Sequence, residues 1–271
     1  MSAILVCGAC SGEPADSTSP ASTPPAPAAN AAAPDDASSE LVRKIIEKRE
    51  RFRNAPGRTG ILAEENRYSL IAEEVIIRDF FQDRRGGFFL DVGCAWPIRA
   101  SNTYYLEKHL GWSGIGVDAL ADYARGWAKM RPRSKFFSYL VTDRSGAAGA
   151  FFKSPGLGLS STSRELASGN RFGRGMETTE IEVPMITLDD LLDREGVEKV
   201  DLVSMDIEGH EPEALAGFDI ERFQPELLVI EGHSKAVTRY LEQHGYRQIK
   251  RYVKFDTINR YFRRSPTPGP R

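Results

Sequence analysis

The sequence predicts an α/β domain with a mostly parallel sheet and helices on both of its faces. Three observations predict it. From residue 88 onward, short and largely apolar runs (88–92, 114–118, 136–141, 200–206 and 227–231) alternate with stretches of helical period, and strands apolar on both sides belong to a sheet covered on both sides. Four of these runs end in an acid, Asp91, Asp118, Asp206 and Glu231, and Asp143 follows a fifth. In open α/β sheets ligands bind beyond the carboxyl ends of the strands, so these acids gather on the ligand-binding rim. Third, 271 residues that are 41% hydrophobic and 27% charged can bury a core without disulfide staples.

The chain divides into four parts. Residues 1–39 form a tail, because positions 11–39 are almost entirely Ala, Pro, Ser, Thr, Asp and Gly and cannot bury enough apolar area to offset their ordering entropy. The opening run Ile4-Leu5-Val6-Cys7-Gly8-Ala9-Cys10 resembles the end of a lipoprotein signal, which would put a lipid anchor at Cys10. It lacks the basic leading segment and the long apolar run of a whole signal. Two expectations therefore stand side by side: a membrane-anchored lipoprotein whose start lies upstream, or a cytoplasmic protein with a plain tail. Residues 40–87 are N-terminal helices, one carrying Leu41, Val42, Ile45 and Ile46, a second carrying Leu70, Ile71, Val75, Ile77 and Phe81 and ending at Arg85-Gly86-Gly87. Residues 88–264 are the main domain and 265–271 a disordered end.

Within the main domain, residues 88–92 read as a buried strand. A helix over 103–110 follows, capped by Ser101 or Asn102. Residues 114–118 give the next strand, then come a helix through Tyr123, Trp127 and Met130 and a third strand over 136–141. Residues 147–182, rich in Gly and Ser, read as an irregular insertion or lid. Residues 183–192 turn from strand into helix, a short helix spans 213–215, and the strands at 200–206 and 227–231 complete the pattern.

The formal net charge of −2 argues against nucleic acid as a partner, because phosphate neutralisation needs clustered Lys and Arg. The basic stretch from Lys250-Arg251 to Arg263-Arg264 reads as a solvated face. With Cys7 and Cys10 at the start and Cys94 alone in the core, no disulfide framework can form, and Cys94 reads as a small buried hydrophobe. No segment approaches the ~20 apolar residues that span a bilayer.

The loop after the first strand, Asp91-Val92-Gly93-Cys94-Ala95, resembles the first motif of class I methyltransferases: an acid, then small residues that let the backbone turn and approach a ligand. It continues Trp96-Pro97-Ile98-Arg99, bulk that obstructs the approach of a dinucleotide pyrophosphate to the helix start. S-adenosylmethionine has no pyrophosphate and tolerates that bulk. Its carboxylate can meet backbone amides near Ser101 and Asn102. Asp118, 27 positions after Asp91, matches the acid that binds both ribose hydroxyls, and Asp143 or its neighbouring backbone would contact the adenine. The cofactor-binding set is thus Asp91, Gly93, Ala95, Ser101, Asn102, Asp118 and Asp143.

Val200-Asp201-Leu202-Val203-Ser204-Met205-Asp206-Ile207-Glu208-Gly209-His210-Glu211, together with Pro225-Glu226-Leu227-Leu228-Val229-Ile230-Glu231, resembles the FkbM family of methyltransferases. That family shows Asp-x-Glu-Gly-x-Glu after its fourth strand and Pro-x-x-x-x-x-Glu in its fifth. Asn102 to Lys108, Gly111-Trp112-Ser113-Gly114, Thr187 to Leu192 and Gly245-Tyr246 fit the same family. The likeness runs from Phe88 to Phe262 and departs at Asp118, where the family usually has Glu, and at the Cys-Ala-Trp-Pro loop. It implies a Rossmann-like class I fold with a seven-stranded sheet and transfer of a methyl group from S-adenosylmethionine to a hydroxyl of a sugar or natural product, a small-molecule or glycan acceptor. Asp206, Glu208 and His210, at the mouth of the fourth strand, are the candidates for general base or orienting group. Glu231 and His233 could join them around Mg²⁺ or another cation, but without fixed ligand spacing no metal site is expected. Glu211 reads as a capping acid, with Pro212 in the first helical turn. Two other readings remain: a noncatalytic, surface-anchored binding protein on a degenerate methyltransferase fold, and a nicotinamide-dependent oxidoreductase.

Overall fold

The computed structural model describes residues 68–155 and 158–265. The tail, the expected helix at Leu41 to Ile46, Cys10 and the last six residues lie outside them. The main sheet has seven strands: β1 (Phe88–Val92), β2 (Ser113–Asp118), β3 (Ser134–Ser138), β7 (Leu202–Met205), β8 (Leu227–Glu231), β9 (Tyr246–Gln248) and β10 (Asn259–Arg264). They lie in the order β3-β2-β1-β7-β8-β10-β9. The neighbours from β3 to β8 are parallel, and β10 runs antiparallel to both β8 and β9. The chain leaves β1 toward β2 and β3 and returns on the other side as β7, so strand order reverses between β1 and β7. A crevice opens at such a switch point.

Alternate residues of the strands build two cores. Leu90, Val92, Val203, Met205, Leu228 and Ile230 face helices α5 (Leu188–Arg194), α6 (Glu211–Ala216), α7 (Ile220–Phe223) and α8 (Lys235–Gln243). Phe89, Leu202, Leu227 and Val229 face α1 (Glu73–Phe81) and α2 (Tyr104–Leu110). This second layer is anchored by Trp112, fully buried, whose indole N–H donates to the carbonyl of Arg84 at 2.7 Å. Burying one large apolar side chain contributes about 1.5–3 kcal/mol, so both faces of the sheet are needed for stability. Among the described residues no helix is long and apolar enough to cross a membrane.

Three expectations are corrected and one alternative is resolved. Helix α1 begins at Glu73, after Leu70, because the Glu73 carboxylate accepts the amides of Ile71 and Ala72 at 2.8 and 2.9 Å and ends the helix there, leaving Leu70 exposed. It stops at Phe81, before the glycines, where Gln82 turns left-handed at φ 51°. Of the two cap candidates for α2, Ser101 serves: its Oγ accepts the amides of Tyr104 and Thr103 at 3.1 and 3.4 Å, while Asn102 donates to Ser204 Oγ at 3.0 Å. The third strand breaks at Tyr139, and β4 (Leu140–Val141) departs into a second, three-stranded sheet.

That second sheet is the larger correction. Residues 147–182 are regular at both ends: β5 (Ala148–Lys153) pairs antiparallel along six residues with β6 (Thr179–Ile186), in a sheet of order β4-β6-β5, and the short α4 (Arg164–Ala167) lies between them in sequence. The sheet holds because Ile181, Val183 and Met185 alternate with Glu180, Glu182 and Pro184. That period of two puts the apolar set against Leu120, Leu140 and Phe151.

Candidate functional site

The ends of β1, β2 and β7 and one side of the small sheet border an open cleft whose space, counted out into the solvent at its mouth, is about 600 Å³. Its floor depends on Gly93. At φ +77° this residue turns the chain so that its amide bonds the Val117 carbonyl at 2.8 Å, and a Cβ there would stand 1.9 Å from the Asp206 carbonyl oxygen. Only glycine lets the two strand ends approach so closely. Ala95 and Ala100 follow with φ of 43° and 55°, conformations that L-residues avoid and that persist only when neighbours enforce them.

Asp118 ends β2 facing the cleft. Its carboxylate accepts the amides of Ala95 at 3.0 Å and Leu120 at 2.8 Å, and burial raises its pKa to about 6. Asp91 lies just behind the cleft on the α2 side. It accepts the Thr103 hydroxyl at 2.6 Å, and burial raises it too to about 6, against the lowering effects of that bond and of Arg131. Beside Asp118 the wall is apolar and aromatic: Val117, Leu120, Tyr123, Tyr139, Leu140, Val141 and Phe151.

Opposite stands the loop after β7. Glu208 and Gly209 both have positive φ, 54° and 95°, and Glu211 ties the bend by accepting the amides of Ile207 and Gly209, each at 3.2 Å. Asp206 is reached by solvent through the cleft mouth, yet protein encloses it at longer range. That burial, then the negative charge of Glu231 and Glu208, holds its carboxyl well above the usual carboxylate range. His210 shows the reverse shift, because burial lowers an imidazolium. Its Nδ1 lies 3.4 Å from Thr162 Oγ1 and 3.6 Å from a Glu213 oxygen. Its Nε2 is enclosed without a hydrogen-bond partner among the described residues, an arrangement that costs about 1–3 kcal/mol and marks a site of use more than of stability.

Gly93, Ala95, Asp118, Asp206, Glu208 and His210 thus line one cleft. Asp91 lies behind it, as described. Ser101 and Asn102 stand apart, one buried as the cap of α2 and the other bonded to β7, so the amides of Thr103 and Tyr104 are already taken. Asp143 is exposed outside the cleft, beside Thr142 and Arg144. Acceptor oxygens of Asp206, Glu208 and Glu231 all lie within 4.8 Å of one another, a grouping able to hold a cation. His233 does not join it and turns to the Thr257 carbonyl at 2.9 Å and to Arg260. Sequence reasoning missed Tyr139, Phe151, Ser160 and Thr162, which reach the cleft through the small sheet and its following loop. It also missed Arg131, which no motif marks.

Solved structures that match in a comparison of coordinates include a TehB-like SAM-dependent methyltransferase from Corynebacterium glutamicum, at 12% identity and TM-score 0.40, covering 84% of this chain and 100% of that one. Another is the Burkholderia thailandensis 1,6-didemethyltoxoflavin-N1-methyltransferase with bound 1,6-didemethyltoxoflavin and S-adenosylhomocysteine, at 11% identity and TM-score 0.35, covering 88% and 93%. No curated protein sequence matches. The family model described as the methyltransferase FkbM domain matches residues 91–248, which takes in the end of β1, the cleft and the loop after β7. Since that match spans more than half of the chain, the protein belongs to the FkbM methyltransferase family.

Proposed function

We propose that the protein transfers a methyl group from S-adenosylmethionine to a hydroxyl of a small-molecule or glycan acceptor. The observation that carries this reading is the pair of acids on opposite sides of one cleft, Asp118 ending β2 and Asp206 ending β7. The cleft also suits the donor's charge. Asp118, Asp206 and Glu208 line it, with no Lys or Arg among its described lining residues. Such a wall attracts a sulfonium and an α-ammonium group and repels the pyrophosphate of a nicotinamide dinucleotide. Asp118 would hold the ribose hydroxyls, the apolar wall at Leu120, Leu140 and Val141 the adenine, and Asp91 with the Gly93–Ala95 backbone the amino-acid end. Ser101 and Asn102 support that end by fixing the start of α2. For Asp143 the geometry supports no adenine contact.

When bound, S-adenosylmethionine supplies an electrophilic methyl group and a neutral thioether as leaving group. The chain's contribution is to hold the acceptor oxygen in line, a positioning effect of up to ~7–11 kcal/mol in favourable cases, and to receive its proton. His210, neutral at physiological pH because burial lowers its pKa, offers its unpartnered Nε2 as the base. Asp206, whose carboxyl is raised by burial and by the charges of Glu231 and Glu208, stands beside Glu231 at the acceptor end and orients the acceptor. The test follows labelled methyl transfer from S-adenosylmethionine into candidate hydroxylated acceptors. Asp206→Ala should retain S-adenosylhomocysteine binding while turnover falls roughly 10²–10⁴-fold. Full activity in that variant contradicts the assignment. An ether product keeps its label in alkali, whereas release of labelled methanol would identify a carboxyl acceptor instead.

A further inference from the structure

Arg131 follows helix α3 (Ala124–Met130) and is 1% exposed. Its guanidinium has five donors and no acceptor, and four bonds leave it. Nε donates to Glu107 Oε2 at 2.5 Å, Nη1 to the Pro97 carbonyl at 3.0 Å and to Ser101 Oγ at 3.3 Å, and Nη2 to Thr103 Oγ1 at 3.0 Å. It lies 4.2 Å from the Trp127 ring, whose N–H in turn holds the Ala95 carbonyl at 2.9 Å. One helix end therefore grips the strained loop at Ala95, Pro97 and Ser101.

The bond to Thr103 has a further effect. Because the guanidinium can only donate, the Thr103 oxygen must accept from it, and the single hydroxyl proton is left to point at Asp91 Oδ2, 2.6 Å away. That oxygen of Asp91 must then be an acceptor. We propose that Arg131 is a positioning residue for donor binding, acting through Thr103 to present the Asp91 carboxylate to the donor's ammonium group. The inference rests on the S-adenosylmethionine reading above. The charged and titratable groups facing Asp91 are Arg131 from the end of α3, Asp118 from β2 and the Cys94 thiol from the loop, which burial keeps neutral. Glu107 faces Arg131 from α2 and balances its charge.

The test is calorimetric titration of S-adenosylhomocysteine between pH 5 and 8.5 into the wild type, Thr103→Val and Thr103→Ser. Thr103→Val removes the relaying hydroxyl while leaving the Arg131–Glu107 pair in place, and thermal unfolding of each variant checks that it is folded. Affinity of the wild type should weaken on acidification through about pH 6, as Asp91 and Asp118 protonate. In Thr103→Val the acid limb should move up by about one pH unit, weakening binding about fivefold at pH 6 and approaching tenfold at pH 5, and converging on the wild type at pH 8.5. Thr103→Ser should restore the wild-type profile. A constant offset at every pH, or no change, would overturn the positioning role and leave Arg131 structural. Absence of binding by the wild type at any pH sinks the donor reading itself, and this role with it.

Discussion

Asp91 ties the energetics of the site to the stability of the fold. Its unfolded carboxyl titrates near 3.8 and its folded one at about 6, raised chiefly by burial. Folding therefore takes up a proton between those values. The group's contribution to stability is full below about pH 4 and is lost as pH rises through 6, a change of about 3 kcal/mol. Asp91→Asn cannot ionise but can still accept from Thr103. Its stability relative to the wild type should rise by up to about 3 kcal/mol between pH 4 and pH 7.5, read by urea denaturation at both values. An unchanged difference would mean that Asp91 is not buried as a lone carboxyl. At this scale the sequence was informative where an acid ends an apolar run, as Asp118 and Asp206 do, because strand period and rim position follow from local pattern. It was silent on Arg131, since a lone arginine after a helix looks the same whether it is solvated or buried against four partners.

The element that organises the site is the junction of β1 with β7. Gly93 sits where a side-chain carbon would collide with the Asp206 carbonyl, and its φ is +77°. Gly93→Ala should cost roughly 2–5 kcal/mol from overpacking and backbone strain together and should weaken S-adenosylhomocysteine binding, because both walls of the cleft shift. Thermal unfolding and a binding titration on the same preparation check both effects. Five of the seven strands of the main sheet were legible from their apolar runs, whereas β9 is only three residues long and β10 buries Tyr261 and Phe262 within the basic stretch that reads as a solvated face. The small sheet was not: its glycines and serines dilute the alternation of Ile181, Val183 and Met185, and its partner strand β5 lies outside the β/α rhythm. Its consequence for the site was lost with it, because Phe151 of β5 and Leu140 and Val141 of β4 build the cleft wall opposite the loop after β7.

For the whole molecule, the reversal of strand order between β1 and β7 places the cleft, and the acids gathered on its rim give it a negative lining. Three of the four strand-end acids reach that rim, Asp118 in the cleft wall and Asp206 with Glu231 beside the acceptor end, while Asp91 stands just behind it. The central claim is that this rim binds an adenosyl sulfonium donor through Asp118. Calorimetric titration of S-adenosylhomocysteine into the wild type and Asp118→Ala at pH 8 tests it most directly. The account predicts saturable, one-to-one binding by the wild type and none by the variant, with both proteins equally folded. Equal affinity in the two proteins, or no binding in either, would contradict it.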